Sequence, residues 1–107
     1  MSDTLDQIKL LVLAGNIRIS DHGYDELAAD GILAREAVEG LVNATIVEDY
    51  PGYPKGPCVL LRQKDSAEEY IHVLWGIPKG RSEPAVLITA YRPDPEMWDN
   101  GFLKRKR

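Results

Sequence analysis

The residues of this chain that are best suited to acid–base chemistry are a histidine and a tyrosine on two neighbouring predicted strands. His72 lies in the middle of one strand, and Thr89, Tyr91 and Arg92 belong to the end of the next. Histidine and tyrosine can donate and accept protons, and arginine binds phosphate through paired hydrogen bonds. Metal-free RNA cleavage needs such a base, acid and cation, with Thr89 as a further substrate contact. A structural cross-strand pair of His72 and Tyr91 is the equal alternative.

A second histidine stands near the start of a predicted helix. His22 precedes Glu26 by four residues, so both side chains lie on one helix face. As a functional site, this pair would transfer protons, but we favour a simple surface contact between the imidazole and the carboxylate. With two histidines and one cysteine, Cys58, the chain can form neither a three-histidine site nor a cysteine-based zinc site. A site of two histidines and one carboxylate is conceivable, but the HExxH spacing is absent. We therefore expect no metal ion and no cofactor.

The charge of the chain is acidic, with 17 Asp and Glu against 13 Lys and Arg residues and a net charge of -4. A polyanion is normally bound by a basic surface, so this balance is not typical of nucleic-acid-binding proteins. Four basic residues are nevertheless concentrated at positions 104–107. They form either a solvated terminus or an arm in which Lys104 and Arg105 contact phosphate.

Apolar runs are short throughout the sequence. None approaches the roughly 20 residues that are needed to cross a bilayer. The first residues, Met1–Thr4, lack the basic start of a signal peptide. We therefore expect a cytoplasmic protein that has no membrane partner.

The spacing of apolar residues changes along the chain from a period near four to a period of two. The first part predicts three helices, at residues 3–14, 21–30 and 34–43. The second part predicts four strands, at residues 45–50, 58–64, 69–77 and 85–91. Short polar loops between these strands favour hairpins, and hence antiparallel pairing.

These elements predict one α+β domain over residues 1–107. A three-helix layer (3–43) would pack on one face of a four-stranded antiparallel sheet (44–92). Residues 93–107 would add a short helical turn, which contains Met97 and Trp98, and the basic tail.

Alternation along the last two predicted strands assigns their side chains to two faces. The set predicted to meet the helices is Ile71, Val73, Trp75 and Ile77 in one strand and Val86, Ile88 and Ala90 in the next. The other face carries a mixture of hydroxyls, leucines and His72. Such a face could be a partner surface, the floor of a cleft or the bed for the C-terminal segment.

Several short motifs follow one another in a distinctive order. They are ISDH at 19–22, DGI at 30–32, IVEDYP at 46–51, a histidine-bearing strand, ITAYRPD at 88–94 and finally Trp98. This order resembles a family of small bacterial domains of unknown function that is grouped with the RelE/ParE-like toxin superfamily. The resemblance covers about residues 17–102, and Gly23 and Asp30 depart from the usual residues of the family.

The resemblance implies a RelE-like fold and a toxin that a cognate antitoxin neutralises. Toxins of this superfamily are typically ribonucleases or gyrase poisons. The positions of this chain that match the family are His22, His72, Thr89, Tyr91 and Arg92.

Two classes of function follow from the sequence. The first is a metal-independent endoribonuclease of a toxin–antitoxin pair, with RNA as its substrate. The second is a non-catalytic interaction module whose mixed sheet face binds a partner chain or a second copy. Convergence of His72, Tyr91 and Arg92 in one open concavity would favour the first class.

Overall fold

The computed structural model describes residues 2–106 of the chain. Its helices are α1 (Asp3–Leu13), α2 (Asp21–Ala29) and α3 (Ala34–Glu39), and a 3-10 turn (Gly40–Asn43) follows α3. Serine side chains cap the first two helices. Ser2 Oγ accepts a hydrogen bond from the backbone N–H of Leu5, and Ser20 Oγ accepts one from that of Gly23. Helix α3 has no side-chain cap, in keeping with the leucine that precedes it.

The strands form one large and one small sheet. They are β1 (Ile17–Ile19), β2 (Thr45–Tyr50), β3 (Cys58–Lys64), β4 (Tyr70–Gly76), β5 (Ala85–Tyr91), β6 (Trp98–Asp99) and β7 (Lys104–Arg105). The large sheet has the order β1-β5-β4-β3-β2, and the small sheet pairs β6 with β7. Strands β2 to β5 pair antiparallel, as predicted, whereas β1 pairs parallel with β5.

The prediction of a four-stranded antiparallel sheet is therefore wrong, although the α+β class and the three helices agree with the structure. Residues 17–19, which lie between the first two predicted helices, form the fifth strand and pair with residues 85–87. The hydroxyl of Ser20 prolongs this pairing by donating a 2.9 Å hydrogen bond to the carbonyl of Ile88. Three residues are too few to display a period, and a parallel partner far along the chain leaves no local signal.

The predicted C-terminal helical turn is also wrong. Residues 95–97 form a non-helical turn, and residues 98–99 pair with residues 104–105. The chain reverses because Asn100, Gly101 and Phe102 all have positive φ, which a right-handed helix cannot accommodate. We call residues 94–106 the C-terminal hairpin. The last residue of the predicted basic tail, Arg107, lies outside the described residues.

The helices cover one face of the large sheet. Side chains from the sheet that pack in this core include Val59, Leu61, Ile71, Val73, Trp75, Ala85, Leu87 and Ala90. Their partners from the helices include Leu5, Ile8, Leu27, Ala37 and Leu41. Gly23 lets α2 approach β5 closely, because a Cβ atom at this position would lie 2.8 Å from the carbonyl oxygen of Leu87.

One part of the predicted face assignment is wrong. Val86 and Ile88 line the opposite side of the sheet, whereas Leu87 packs under the helices. The register between β4 and β5 shifts, so that Leu74 pairs with Thr89 but its neighbour Trp75 pairs with Leu87. The extra residue, Ile88, forms a β-bulge that reverses the alternation along β5.

Candidate functional site

The sheet face that points away from the helices, which we call the outer face, is built from three rows of residues that cross the strands. The first row is Tyr91, His72, Arg62 and Thr45. The second row is Thr89, Leu74, Leu60 and Glu48. The third row is Arg18, Val86, Gly76, Cys58 and Tyr50. The C-terminal hairpin contacts the first row and Glu48, whereas the third row borders an open groove.

His72 and Tyr91 meet on the first row, as the sequence predicts. The Nδ1 atom of His72 lies 3.1 Å from the Tyr91 hydroxyl, and its Nε2 atom lies 2.8 Å from the carbonyl oxygen of Phe102. A carbonyl can only accept, so Nε2 carries the proton and Nδ1 accepts a hydrogen bond from Tyr91. The ring of Trp98 contacts the imidazole edge-on, with the ring centres 4.5 Å apart.

Burial controls the ionisation of this pair. His72 is fully buried, and this burial lowers its pKa, partly opposed by the hydrogen bond to Phe102 and the charge of Glu48. Burial likewise raises the pKa of Tyr91. Both groups are therefore neutral at physiological pH. Because the C-terminal hairpin covers the imidazole and both ring nitrogens have partners, the geometry favours the structural interpretation of His72 and Tyr91.

Arg92 does not join His72 and Tyr91. Its backbone N–H donates to Asp30 Oδ2 at 2.7 Å, and its guanidinium donates to the Asp30 carbonyl at 3.0 Å and to Asp65 Oδ2 at 2.9 Å. Asp65 also accepts from the backbone N–H of Glu69, and this hydrogen bond is the largest cause of its lowered pKa. Arg92 thus ties the end of α2 to the turn between β3 and β4.

The second predicted pair lies on the helical side of the molecule. His22 Nε2 is 3.8 Å from Glu26 Oε1; on α2 the histidine is exposed and the glutamate is half-buried. Among the hydrogen bonds and ion pairs of residues 2–106, neither His22 nor Glu26 contacts a residue of the outer face. The structure therefore separates His22 and Glu26 from His72, Tyr91 and Thr89. This is the surface contact that we favoured.

The predicted phosphate-binding arm is largely engaged within the protein. Arg105 binds Glu48 through two hydrogen bonds, of 2.7 Å from Nε and 3.0 Å from Nη2, and its guanidinium lies over the ring of Trp98. Arg105 is the main cause of the lowered pKa of Glu48. Glu48 also accepts a 2.7 Å hydrogen bond from Tyr50. Lys104, by contrast, is exposed.

An open groove lies on the outer face beside the C-terminal hairpin, and we call it the outer groove. Its volume is about 690 Å³. Its walls and floor are Arg18, Tyr50, Tyr53, Lys55, Gly56, Pro57, Cys58, Leu74, Gly76, Ile77, Pro78, Val86 and Ile88. This volume is typical of ligand sites in proteins.

The depth of the outer groove depends on Gly76, which stands in the middle of the third row. A Cβ atom at this position would lie 2.9 Å from Cδ1 of Ile88 and 3.3 Å from Cβ of Cys58. The glycine therefore leaves the floor open where a side chain would fill it. Tyr50 and Tyr53 form one wall and are 41% and 50% exposed.

The sequence left three roles open for this face: a partner surface, the floor of a cleft or the bed for the C-terminal segment. The structure contains the second and the third. The residues that sequence reasoning missed are Arg18, Lys55, Gly76 and the pair of Glu48 with Arg105. Glu48 and Tyr50 are two residues apart on a predicted strand, so their side chains point to the same face. This spacing could have indicated the hydrogen bond between them. The groove itself has no local signal, because its third row collects one residue from each of five strands.

Two further observations concern metal binding and membrane crossing in the described part of the chain. Within residues 2–106, no three His, Cys, Asp or Glu side chains are grouped as they would be to hold a metal ion. Over the same residues, no helix has the length and apolar character that a bilayer crossing requires.

The structure defines a small α+β domain with an open groove on its uncovered sheet face. Residues 19–92 match the sequence profile of a family described as a domain of unknown function (DUF4258). This match covers more than half of the chain, and the chain belongs to this family. Comparisons with curated proteins and with solved structures gave no match.

The family match confirms the predicted membership of a domain family of unknown function, but it shows no link to RelE/ParE-like toxins. The match begins at Ile19, the last residue of β1, and ends at Arg92, just after β5. The C-terminal hairpin that covers His72 lies beyond the matched residues.

Proposed function

We propose that this chain is an interaction domain that binds a polypeptide segment of a partner protein in the outer groove. The observation that carries this proposal is the apolar, open floor of the groove on the sheet face that the helices leave uncovered. Contiguous apolar surface that remains exposed on a folded domain commonly marks a site of interaction. Exposed tyrosines, such as Tyr50 and Tyr53, are enriched at protein interfaces.

The side chains of the groove suit binding better than catalysis. Its lining contains no histidine and no carboxylate. Burial raises the pKa of the Cys58 thiol, so the reactive thiolate is not populated at neutral pH. The proton-transfer pair that the sequence suggested, His72 with Tyr91, lies under the C-terminal hairpin rather than in the groove.

The shape of the groove suits an extended segment. Its third row crosses five strands, from Arg18 on β1 to Tyr50 on β2. Four intervals of about 4.8 Å make this row about 19 Å long. An extended chain advances by about 3.3 Å per residue, so roughly six residues would span it.

Selection from a library of displayed random dodecapeptides would test this proposal. We expect the wild-type protein to enrich peptides that bind at least tenfold more weakly to Ile88→Asp, which places a charge on the apolar floor. Tyr53→Ala, a milder change in the exposed wall, should weaken the same peptides. The matched control is Val42→Asp, at a position 66% exposed on the 3-10 turn, and this variant should bind them normally.

Two outcomes would contradict the proposal. The first is the absence of any enriched peptide that distinguishes the wild type from the two groove variants, once circular dichroism has shown that these variants are folded. The second is a wild-type dimer, detected by analytical ultracentrifugation, that Ile88→Asp converts to a monomer. A second copy of this chain would then be the occupant of the groove.

A second candidate function is a toxin ribonuclease related to the RelE/ParE-like superfamily, acting in the bacterial cytoplasm and neutralised by an antitoxin. One observation favours it: His72 and Tyr91 are hydrogen-bonded to each other, and Arg105, held by Glu48, supplies a cation on the same sheet face. This function requires the C-terminal hairpin to lift, and Arg105 or Lys104 to replace Arg92 as the phosphate contact.

Expression of the chain alone in a bacterial culture tests this second candidate. A ribonuclease toxin should arrest growth, and the double variant His72→Ala, Tyr91→Phe should not, at the same soluble level. Normal growth with the wild-type protein would count against the toxin function and leave the interaction domain as the better-supported proposal.

A further inference from the structure

We propose that the partner segment that fits the outer groove has apolar residues in its middle and carboxylates at both ends. This inference rests on the proposed interaction function and adds the chemistry of the partner. It follows from the signs and positions of the charges around the groove.

Two charged residues line the groove, and both are cations: Arg18 and Lys55. The chain as a whole has a net charge of -4, so a groove without carboxylates departs from the rest of the protein. Within residues 2–106, neither of these cations takes part in the ion pairs or side-chain hydrogen bonds of the structure. Both charges are therefore available to groups of opposite sign on a partner.

The two cations lie at separate borders of the apolar floor. Arg18 is on β1, at one edge of the large sheet, and pairs with Val86 in the third row. Lys55 is in the loop between β2 and β3, where its carbonyl accepts a hydrogen bond from the backbone N–H of Lys79, beyond the end of β4. A bound segment that crosses the floor would therefore meet a positive charge near each end.

The floor between the cations favours apolar side chains. Leu74, Val86 and Ile88 line it, and Gly76 leaves room between them. In an extended segment, alternate side chains point to one side, so two or three apolar residues would face the floor. Carboxylates near the two ends of such a segment would then reach Arg18 and Lys55.

A nucleic acid fits these features less well than an acidic peptide. It would bring a phosphate with every nucleotide against a protein of negative net charge, whereas the groove supplies two cations. A peptide can instead place its carboxylates only where the cations lie. We therefore assign the groove to a peptide with acidic flanks.

Three fluorescein-labelled peptides with the same alternating leucine and serine core would test this assignment. They would carry glutamate, serine or lysine on both flanks, and binding would be measured by fluorescence anisotropy. We expect the glutamate peptide to bind about fivefold more tightly than the serine peptide, because exposed ion pairs contribute weakly. The lysine peptide should bind most weakly, and added salt should reduce these differences.

Charge reversal supplies the decisive comparison. In the double variant Arg18→Glu, Lys55→Glu, the order should invert, so that the lysine peptide binds best. The control Arg35→Glu changes an exposed cation on α3 and should leave the original order unchanged. A rescue by the opposite charge cannot arise from general loss of folding.

The outcomes separate this inference from the proposed function. If all three peptides bind equally and all lose affinity with Ile88→Asp, the groove binds peptides but the acidic preference is wrong. If no peptide binds the groove, either here or in the display selection, both proposals are wrong. If a short single-stranded RNA binds the wild type but not the charge-reversal variant, while the peptides do not bind, the partner is a nucleic acid.

Discussion

The clearest prediction from the structure concerns the stability of the protein as the pH falls. His72 is fully buried and neutral, and burial lowers its pKa below the ordinary value of 6.5. In the unfolded chain, the same imidazole takes up a proton near its ordinary pKa. The unfolded state therefore binds more protons than the folded state below about pH 6.5, and acid favours unfolding.

The size of this effect follows from one proton. For a histidine that stays neutral in the folded state, the free energy of unfolding falls by up to about 1.4 kcal/mol per pH unit. Most of this fall occurs below the unfolded pKa, so the change between about pH 7.5 and about pH 5.5 is at most about 1.4 kcal/mol. Once the pH falls below the folded pKa, this contribution levels off.

Urea denaturation followed by circular dichroism would measure the effect in three proteins. The His72→Gln variant cannot titrate at this position, so its free energy of unfolding should change less with pH than that of the wild type. The control His22→Gln removes a histidine that is exposed on α2 rather than buried, and the pH dependence of its unfolding would be measured alongside. Contributions from the carboxylates are common to all three proteins and cancel in the comparison.

Two results would refute this reasoning. Equal pH dependence of the wild type and His72→Gln would mean that the imidazole titrates alike in both states. A wild type that gains stability relative to His72→Gln as the pH falls would mean that the folded state prefers the protonated imidazole. The hydrogen bond from Nε2 to Phe102 would then outweigh the effect of burial.

Three further predictions test other parts of the structure. Arg92→Met should destabilise the fold by about 2 kcal/mol at neutral pH, because it leaves the carboxylate of Asp65 without its cation; in urea titrations this loss should shrink in acid, as the lowered pKa of Asp65 is passed. Trp98→Ala should uncover His72. Mass spectrometry after diethyl pyrocarbonate treatment should then find both histidines modified, rather than only the exposed His22. Continued protection of His72 would show that Trp98 does not shield it. Gly76→Ala should keep the fold, at a loss of about 1 kcal/mol, but bind display-selected peptides at least fivefold more weakly in anisotropy assays; unchanged affinity would place the peptides elsewhere.

Much of the local structure could be predicted from the sequence because its causes are local. Apolar residues at helical spacing define α1 and α2, and Ser20 stands where α2 needs an acceptor for its free N–H groups. Alternation defines the four antiparallel strands. The contact between His72 and Tyr91 follows from the pairing of two such strands.

The parts of the fold that were missed depend on distant pairings. Strand β1 exists because residues 17–19 find β5 at residues 85–87. The bulge at Ile88 is set by the fit of β5 against β4 and reverses the faces of Val86 and Leu87. Neither the pairing of β1 nor the bulge at Ile88 leaves a pattern in the residues of its own segment.

The same distinction applies to the candidate site. The sequence by itself determined which residue types were available: two histidines, one cysteine, an acidic chain and a basic end. Tertiary structure decided their roles, since Arg92 pairs with Asp30 and Asp65 at separations of 62 and 27 residues, and Phe102 closes over His72. The outer groove arises where five strands meet in register around Gly76. Burial and charge depend on what packs against a residue in space, which no local pattern of the chain specifies.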